Sequence, residues 1–205
     1  QIFLRAGGRN PGSGGRVRST GELVARPVAR PVQAEPVENA DTPPEPRIEI
    51  DAGGGGLAEV GGMVDASGAA GEDGGTVGIL GDTVDLFAGS VILADGDAGG
   101  GRIFVGGGRR GLNSEFTNAT DVTVGEGVRL LADARETGDG GEVIVFAERS
   151  LDFQGFASAR GGENGGDGGF VEFSGKERLL TGRLSNSVDV RAPGGESGVL
   201  LLDPN

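Results

Sequence analysis

The chain has 205 residues, 44 of them glycine, and a formal net charge of −13. It contains neither cysteine nor histidine, which excludes a disulfide framework, a Cys/His metal site and any thiol or imidazole chemistry. An acidic surface of this size repels nucleic acid and anionic lipid, so neither DNA nor RNA is expected as a partner. In chain order, Gln1-Ile2-Phe3-Leu4 reads as a single strand. A Pro-rich stretch from Pro27 to Pro46 follows, carrying Glu35, Glu38, Asp41 and Glu45, and reads as an extended linker or large surface loop. Pro27, Pro31 and Pro36 lack a clean docking pattern, which favours a spacer over a recognition ligand. No apolar run is long enough to cross a membrane, and no signal peptide is visible. The chain starts at Gln1 and stops after Leu200-Leu201-Leu202-Asp203-Pro204-Asn205, and both ends read as cuts in a longer protein.

From Arg47 onward the sequence repeats. Two glycines, one residue and a branched apolar residue recur as Gly74-Gly75-Thr76-Val77, Gly100-Gly101-Arg102-Ile103, Gly140-Gly141-Glu142-Val143 and Gly168-Gly169-Phe170-Val171. A degenerate copy closes the series at Ser197-Gly198-Val199-Leu200. The spacings of the second glycine are 26, 40, 28 and 29 residues, and the long one holds an insertion, Arg109 to Asp121. Without it the period is about 27–28 residues, a solenoid spacing. Each repeat contains three apolar bursts, for example Val77/Ile79, Val84/Leu86 and Val91/Leu93. Their members sit two apart, which is strand periodicity with one buried face.

This pattern predicts an all-β chain, a right-handed parallel β-helix with three strands per coil. Residues 1–46 are expected to hold a partial first coil plus the Pro-rich segment, and residues 47–205 the β-helix repeats, truncated at the C-terminal end. Val77, Ile103, Val143, Val171 and Leu200 should stack as one interior ladder, and Ile79, Val105, Val145, Phe173 and Leu202 as the next, both starting from Ile48 and Ile50. Glycine suits the corners, where positive φ and close backbone approach occur together. Asp65, Asp95, Asp133 and Asn164 are expected there as residues that also tolerate left-handed geometry.

Three local features bear on chemistry. Gly-Asp clusters such as Asp95-Gly96-Asp97 invite calcium, but one carboxylate per corner falls short of the six to eight oxygens calcium takes. Asp85, Asp152 and Glu172, with Lys176 and Arg178, could serve a carbohydrate-active β-helix, a lyase or tailspike-like hydrolase, if they lined one groove. Nothing in the pattern separates them from ordinary outward strand positions, so no catalytic residue, cofactor or metal ligand is assigned. The insertion is the candidate ligand-contact loop, through Arg109, Arg110, Asn113, Phe116 and Asn118. Its arginines are basic in an acidic chain, and Phe116 is placed to cap an open strand edge; the plainer reading is a loop packed on the helix side. Gly106-Gly107-Gly108 before it is no phosphate loop, since neither Lys-Ser/Thr nor a helix follows.

Several phrases together resemble a known family. They are Val64-Asp65-Ala66-Ser67-Gly68, Gly100-Gly101-Arg102-Ile103-Phe104-Val105-Gly106-Gly107, Ser158-Ala159-Arg160-Gly161-Gly162, Gly165 to Lys176, and Ser197 to Pro204. In this order they resemble the β-helical region of filamentous-haemagglutinin-type two-partner-secretion exoproteins, over about residues 47–205. The resemblance implies a structural shaft segment of a secreted, surface-exposed bacterial adhesin serving adhesion, biofilm formation or haemagglutination. It implies export by an outer-membrane transporter and a host-cell, matrix or glycan receptor; coil-by-coil folding on export is expected from the nearest-neighbour stacking of the repeats. It carries over no binding residue, and the amino-terminal secretion domain of such proteins is not evident in the sequence.

Overall fold

The computed structural model describes residues 1–6, 15–25, 46–113 and 116–204. The Pro-rich stretch up to Glu45, with Pro27, Pro31 and Pro36, lies outside them. Three strands make each coil. The first coil is β1 (Ile2–Arg5), β2 (Arg16–Ser19) and β3 (Glu22–Val24), and the second is β4 (Arg47–Asp51), β5 (Leu57–Val60) and β6 (Met63–Asp65). The third is β7 (Thr76–Leu80), β8 (Thr83–Leu86) and β9 (Val91–Leu93); the fourth is β10 (Arg102–Val105), β11 (Asp121–Val124) and β12 (Arg129–Leu131). The fifth is β13 (Glu142–Ala147), β14 (Ser150–Phe153) and β15 (Phe156–Ser158), and the sixth is β16 (Phe170–Gly175), β17 (Arg178–Thr181) and β18 (Val188–Asp189). β19 (Val199–Asp203) opens a seventh.

Corresponding strands pair in parallel into three faces of seven, six and six strands, which is a parallel β-helix with three strands per coil. At about 4.8 Å per step, the seven-stranded first face rises roughly 29 Å. The interior ladders of that face fall where the sequence put them. Ile48, Val77, Ile103, Val143, Val171 and Leu200 are in register, and so are Ile50, Ile79, Val105, Val145, Phe173 and Leu202. Both ladders extend one rung below Ile48 and Ile50, to Ile2 and Leu4 of the first coil. β2 and β3 complete that first coil, although Arg16-Val17-Arg18-Ser19 offers only one apolar residue inward.

The core runs unbroken through the stack. Phe153 of the second face meets Phe173 of the first with ring centroids 4.0 Å apart. The third face supplies only Ala157 in the coil of Phe153, which leaves room for those rings at native packing density.

The corners correct one expectation. Among the described residues Arg110 is the only non-glycine with positive φ, so Asp65, Asp95, Asp133 and Asn164 are not left-handed. Asp65 accepts the Ser67 N–H of its own turn at 2.9 Å, whereas Asp95 and Asp133 act as staples between coils. Asp95 Oδ1 accepts the Asp133 N–H of the next coil at 2.8 Å, and Asp133 Oδ1 accepts the Arg160 N–H at 2.7 Å. Asp139 and Asp167 repeat the device toward the N–H groups of Asp167 and Glu196. The repeated glycine before each first-face strand is required by close approach. A Cβ on Gly141 would lie 2.0 Å from the carbonyl oxygen of Gly101 below it, and one on Gly169 2.0 Å from that of Gly141.

Candidate functional site

The outward row of the first face reads Phe3, Glu49, Gly78, Phe104, Ile144, Glu172, Leu201. Its lower part carries one carboxylate, Glu49, between Phe3 and Gly78. Glu49 is buried and receives both Arg5 and Arg47. Burial works against its charge, but the two guanidiniums outweigh that and hold the carboxyl below its ordinary range. The upper part is apolar: Phe104, Ile144 and Phe146 are buried although they face away from the core.

The insertion between β10 and β11 buries them. The chain turns outward at Gly106 (φ 74°), and the Ala119 N–H returns to the Gly106 carbonyl at 2.6 Å, closing the neck of the loop. A short 3-10 turn, Arg109–Gly111, lies on the face. The Arg109 guanidinium stacks 3.7 Å above the Phe170 ring centroid and reaches Glu142 at 3.2 Å. Arg110 has φ 53°, ψ 20°, and its N–H donates to Glu172 Oε1 at 2.8 Å. The Ser174 hydroxyl donates to the same oxygen at 2.7 Å. Gly111 presses on Phe146; a Cβ there would meet the ring at 2.4 Å. Asn118 donates to the Gly111 carbonyl and to Glu148, each at 2.9 Å, and Lys176 holds the other Glu148 oxygen at 2.6 Å. Lys176 and Asn118 hold the Glu148 carboxyl below its ordinary range, with burial opposing them.

Phe116 does not cap a strand edge. Its ring sits 5.1 Å from that of Phe104 on the outer face, because the apolar surface it can cover lies there. Of the five candidate loop residues, Arg109, Arg110 and Asn113 line an open groove of about 730 Å³ beside the loop, while Phe116 and Asn118 fix the loop in place. The other groove residues are Arg102, Phe104, Leu112, Glu142, Phe170, Val199 and Leu201. Two acceptors beneath the loop, Glu172 Oε2 and Asn118 Oδ1, are buried without a hydrogen-bond partner.

Sequence reasoning missed Phe104, Ile144, Phe146, Phe170 and the positioning role of Glu172. The available signal was the loss of alternation: Ile103-Phe104-Val105 and Val143-Ile144-Val145-Phe146 are apolar on both faces, as strands covered on both sides are. The carboxylates weighed for glycoside chemistry do not converge. Asp85 and Asp152 lie on the second face in one row with Thr123 between them, whereas Glu172 is on the first face beneath the loop. Arg178 opens β17 on the second face, and Lys176 is paired with Glu148. Among the described residues no group of three or more acidic side chains is placed to share a metal ion, and no helix is long and apolar enough to cross a membrane.

No protein-family model matches the chain, and no curated protein matches it. Among solved structures it is similar to the HMW1 secretion domain from Haemophilus influenzae, over 98% of this chain, with a TM-score of 0.67 and 27% sequence identity. The chain spans 48%, about half, of that protein's solved chain. A secretion domain is not evident from the sequence, yet the match is to one. Stacked coils with glycine corners look alike wherever they occur in such a rod, so coil phrases alone do not mark a domain boundary. The chain thus shares its fold and part of its sequence with a secretion domain, in keeping with its resemblance to filamentous-haemagglutinin-type two-partner-secretion exoproteins.

Proposed function

We propose that this chain is a β-helical shaft segment of a secreted, surface-exposed bacterial adhesin, exported by an outer-membrane two-partner-secretion transporter. The observation that carries the reading is the likeness to a secretion domain along almost the whole chain, through an uninterrupted stack of parallel coils. The role is mechanical. Each coil buries its apolar face against its neighbours, so the stack holds attached loops at a fixed distance and orientation. Nearest-neighbour stability also suits export, since coils emerging in order can fold onto those already formed. In this setting the insertion is what the shaft displays, and its receptor is a surface group of another cell or of the matrix.

The test is surface labelling of the producing bacterium with antibody against this chain, with and without its outer-membrane transporter. Label on intact cells that disappears with the transporter supports the reading. Label confined to the cell interior, or unchanged without the transporter, overturns it.

A further inference from the structure

The groove beside the insertion is lined by arginine and apolar side chains. Arg102, Arg109 and Arg110 gather on it against one lining carboxylate, Glu142, in a chain of net charge −13. The rest of its lining is largely apolar: Phe104, Phe170, Val199 and Leu201, with Leu112 81% exposed at the loop tip. Arginine and aromatic side chains are enriched at protein-recognition surfaces, and the aliphatic groups beside them add apolar contact area.

The wall is held rigid before any ligand arrives. Arg110 sits in left-handed backbone geometry, which is costly for a non-glycine residue, and the buried Glu172 carboxylate fastens its N–H there. Gly111 against Phe146 and Asn118 against the Gly111 carbonyl lock the same turn from below. A wall ordered in advance loses little conformational entropy on binding. At about 730 Å³ the cleft is within the usual size of ligand sites. Because Arg102, Glu142, Phe170 and Val199 are successive rungs of one ladder, the groove runs along the stack axis.

We infer that this groove binds an extended acidic peptide segment of a partner protein, one that alternates carboxylate with aliphatic side chains. The carboxylates meet the guanidiniums of Arg109 and Arg110, and the aliphatic groups lie on Val199 and Leu201. The aromatic rings favour a peptide over an acidic sugar. Phe104 is buried beside Phe116, and Phe170 carries Arg109 on its ring, so neither offers the bare face on which a sugar stacks. The inference gains a biological setting from the adhesin reading but does not require it, because it is tested on the purified chain alone.

The probe is a fluorescein-labelled peptide of about nine residues alternating Asp and Leu, long enough at about 3.3 Å per residue to span the groove. Fluorescence anisotropy with the full chain should show saturable binding. Binding should weaken at least about ten-fold in Arg109→Gln/Arg110→Gln, as loss of charge-assisted hydrogen bonds does. It should weaken likewise in Val199→Ser/Leu201→Ser and stay unchanged in Arg16→Gln/Arg18→Gln on the second face. Circular dichroism that matches the parent chain shows that each variant folds. A Lys/Leu peptide that binds equally, an Asp/Ser peptide that binds equally, or no binding of the Asp/Leu peptide overturns the proposal. Tetragalacturonic acid binding in its place, with the same losses in the arginine variants, overturns the peptide and assigns the groove to acidic glycans.

Discussion

The lower and upper parts of the first face share a backbone and a register but solve the same problem differently. An outward strand position in a solenoid is ordinarily polar. The lower part obeys this with Arg5 and Arg47 on Glu49. The upper part sets Phe104, Ile144 and Phe146 outward and covers them with a thirteen-residue insertion, Arg109 to Asp121. The difference teaches that the insertion is more than a decoration of the shaft. It has its own apolar footing, and that footing fixes the arginine-lined wall beside it.

Phe146→Ala should break the contrast most severely. Phe146 is 1% exposed, and its loss should cost about 3–5 kcal/mol while freeing Gly111 and the loop. Phe3, 48% exposed in the lower part, should cost less than about 1 kcal/mol as alanine. Chemical denaturation of both variants makes the comparison. If the two losses are equal, the upper part is not a second core.

Half-buried Asp95 and buried Glu49 extend the contrast to carboxylates without and with direct cation partners. Burial pushes the Asp95 carboxyl up to about 6; the Asp133 N–H and Arg135 oppose this and the Asp133 charge adds to it. With its folded value above its unfolded one, Asp95 penalises folding fully above about pH 6, and the penalty fades as pH falls toward 4. Asp95→Asn keeps an acceptor for the Asp133 N–H, so it should stabilise the chain by roughly 2–3 kcal/mol at pH 7.5. That gain should vanish near pH 4 in thermal unfolding followed across pH. A gain that persists at pH 4 would refute the assignment.

Glu172→Ala should remove the anchor of Arg110 at a cost of about 1–3 kcal/mol. Its distinguishing sign is faster proteolysis within the insertion while far-UV circular dichroism stays constant. The smallest effect is expected for Glu49→Gln, at about 0.5–1 kcal/mol, since its guanidinium partners are largely exposed. The Glu49 carboxyl is held low in the folded chain, so its contribution is present above the ordinary glutamate range and is lost as pH falls below it. High salt should erase much of this effect, and no salt dependence would contradict the ion-pair account.

The interior ladders were legible because two independent periods agree at Val77, Ile103, Val143 and Val171, two residues within a strand and about 28 between coils. β2 was not legible, because in Arg16-Val17-Arg18-Ser19 the charged flanks hide a single inward apolar residue. Asp95 and Asp133 were located correctly at corners and explained wrongly: from sequence alone, a side chain that accepts an N–H from the next coil looks the same as one that tolerates a left-handed turn. The site was half legible. The arginines stood out by charge, but the footing under them depends on pairs distant in sequence, such as Arg110 with Glu172 and Arg109 with Phe170.

The most direct measurement is amide hydrogen exchange of Arg110 and Ala119 by NMR. If the insertion is docked as described, both amides exchange slowly, on a scale approaching the β10–β13 ladder, because each is held by a hydrogen bond to Glu172 or Gly106. Slow Ala119 with Arg110 at the free-chain rate would leave the neck closed but the turn undocked, and would contradict the claim that the first face carries a preformed site.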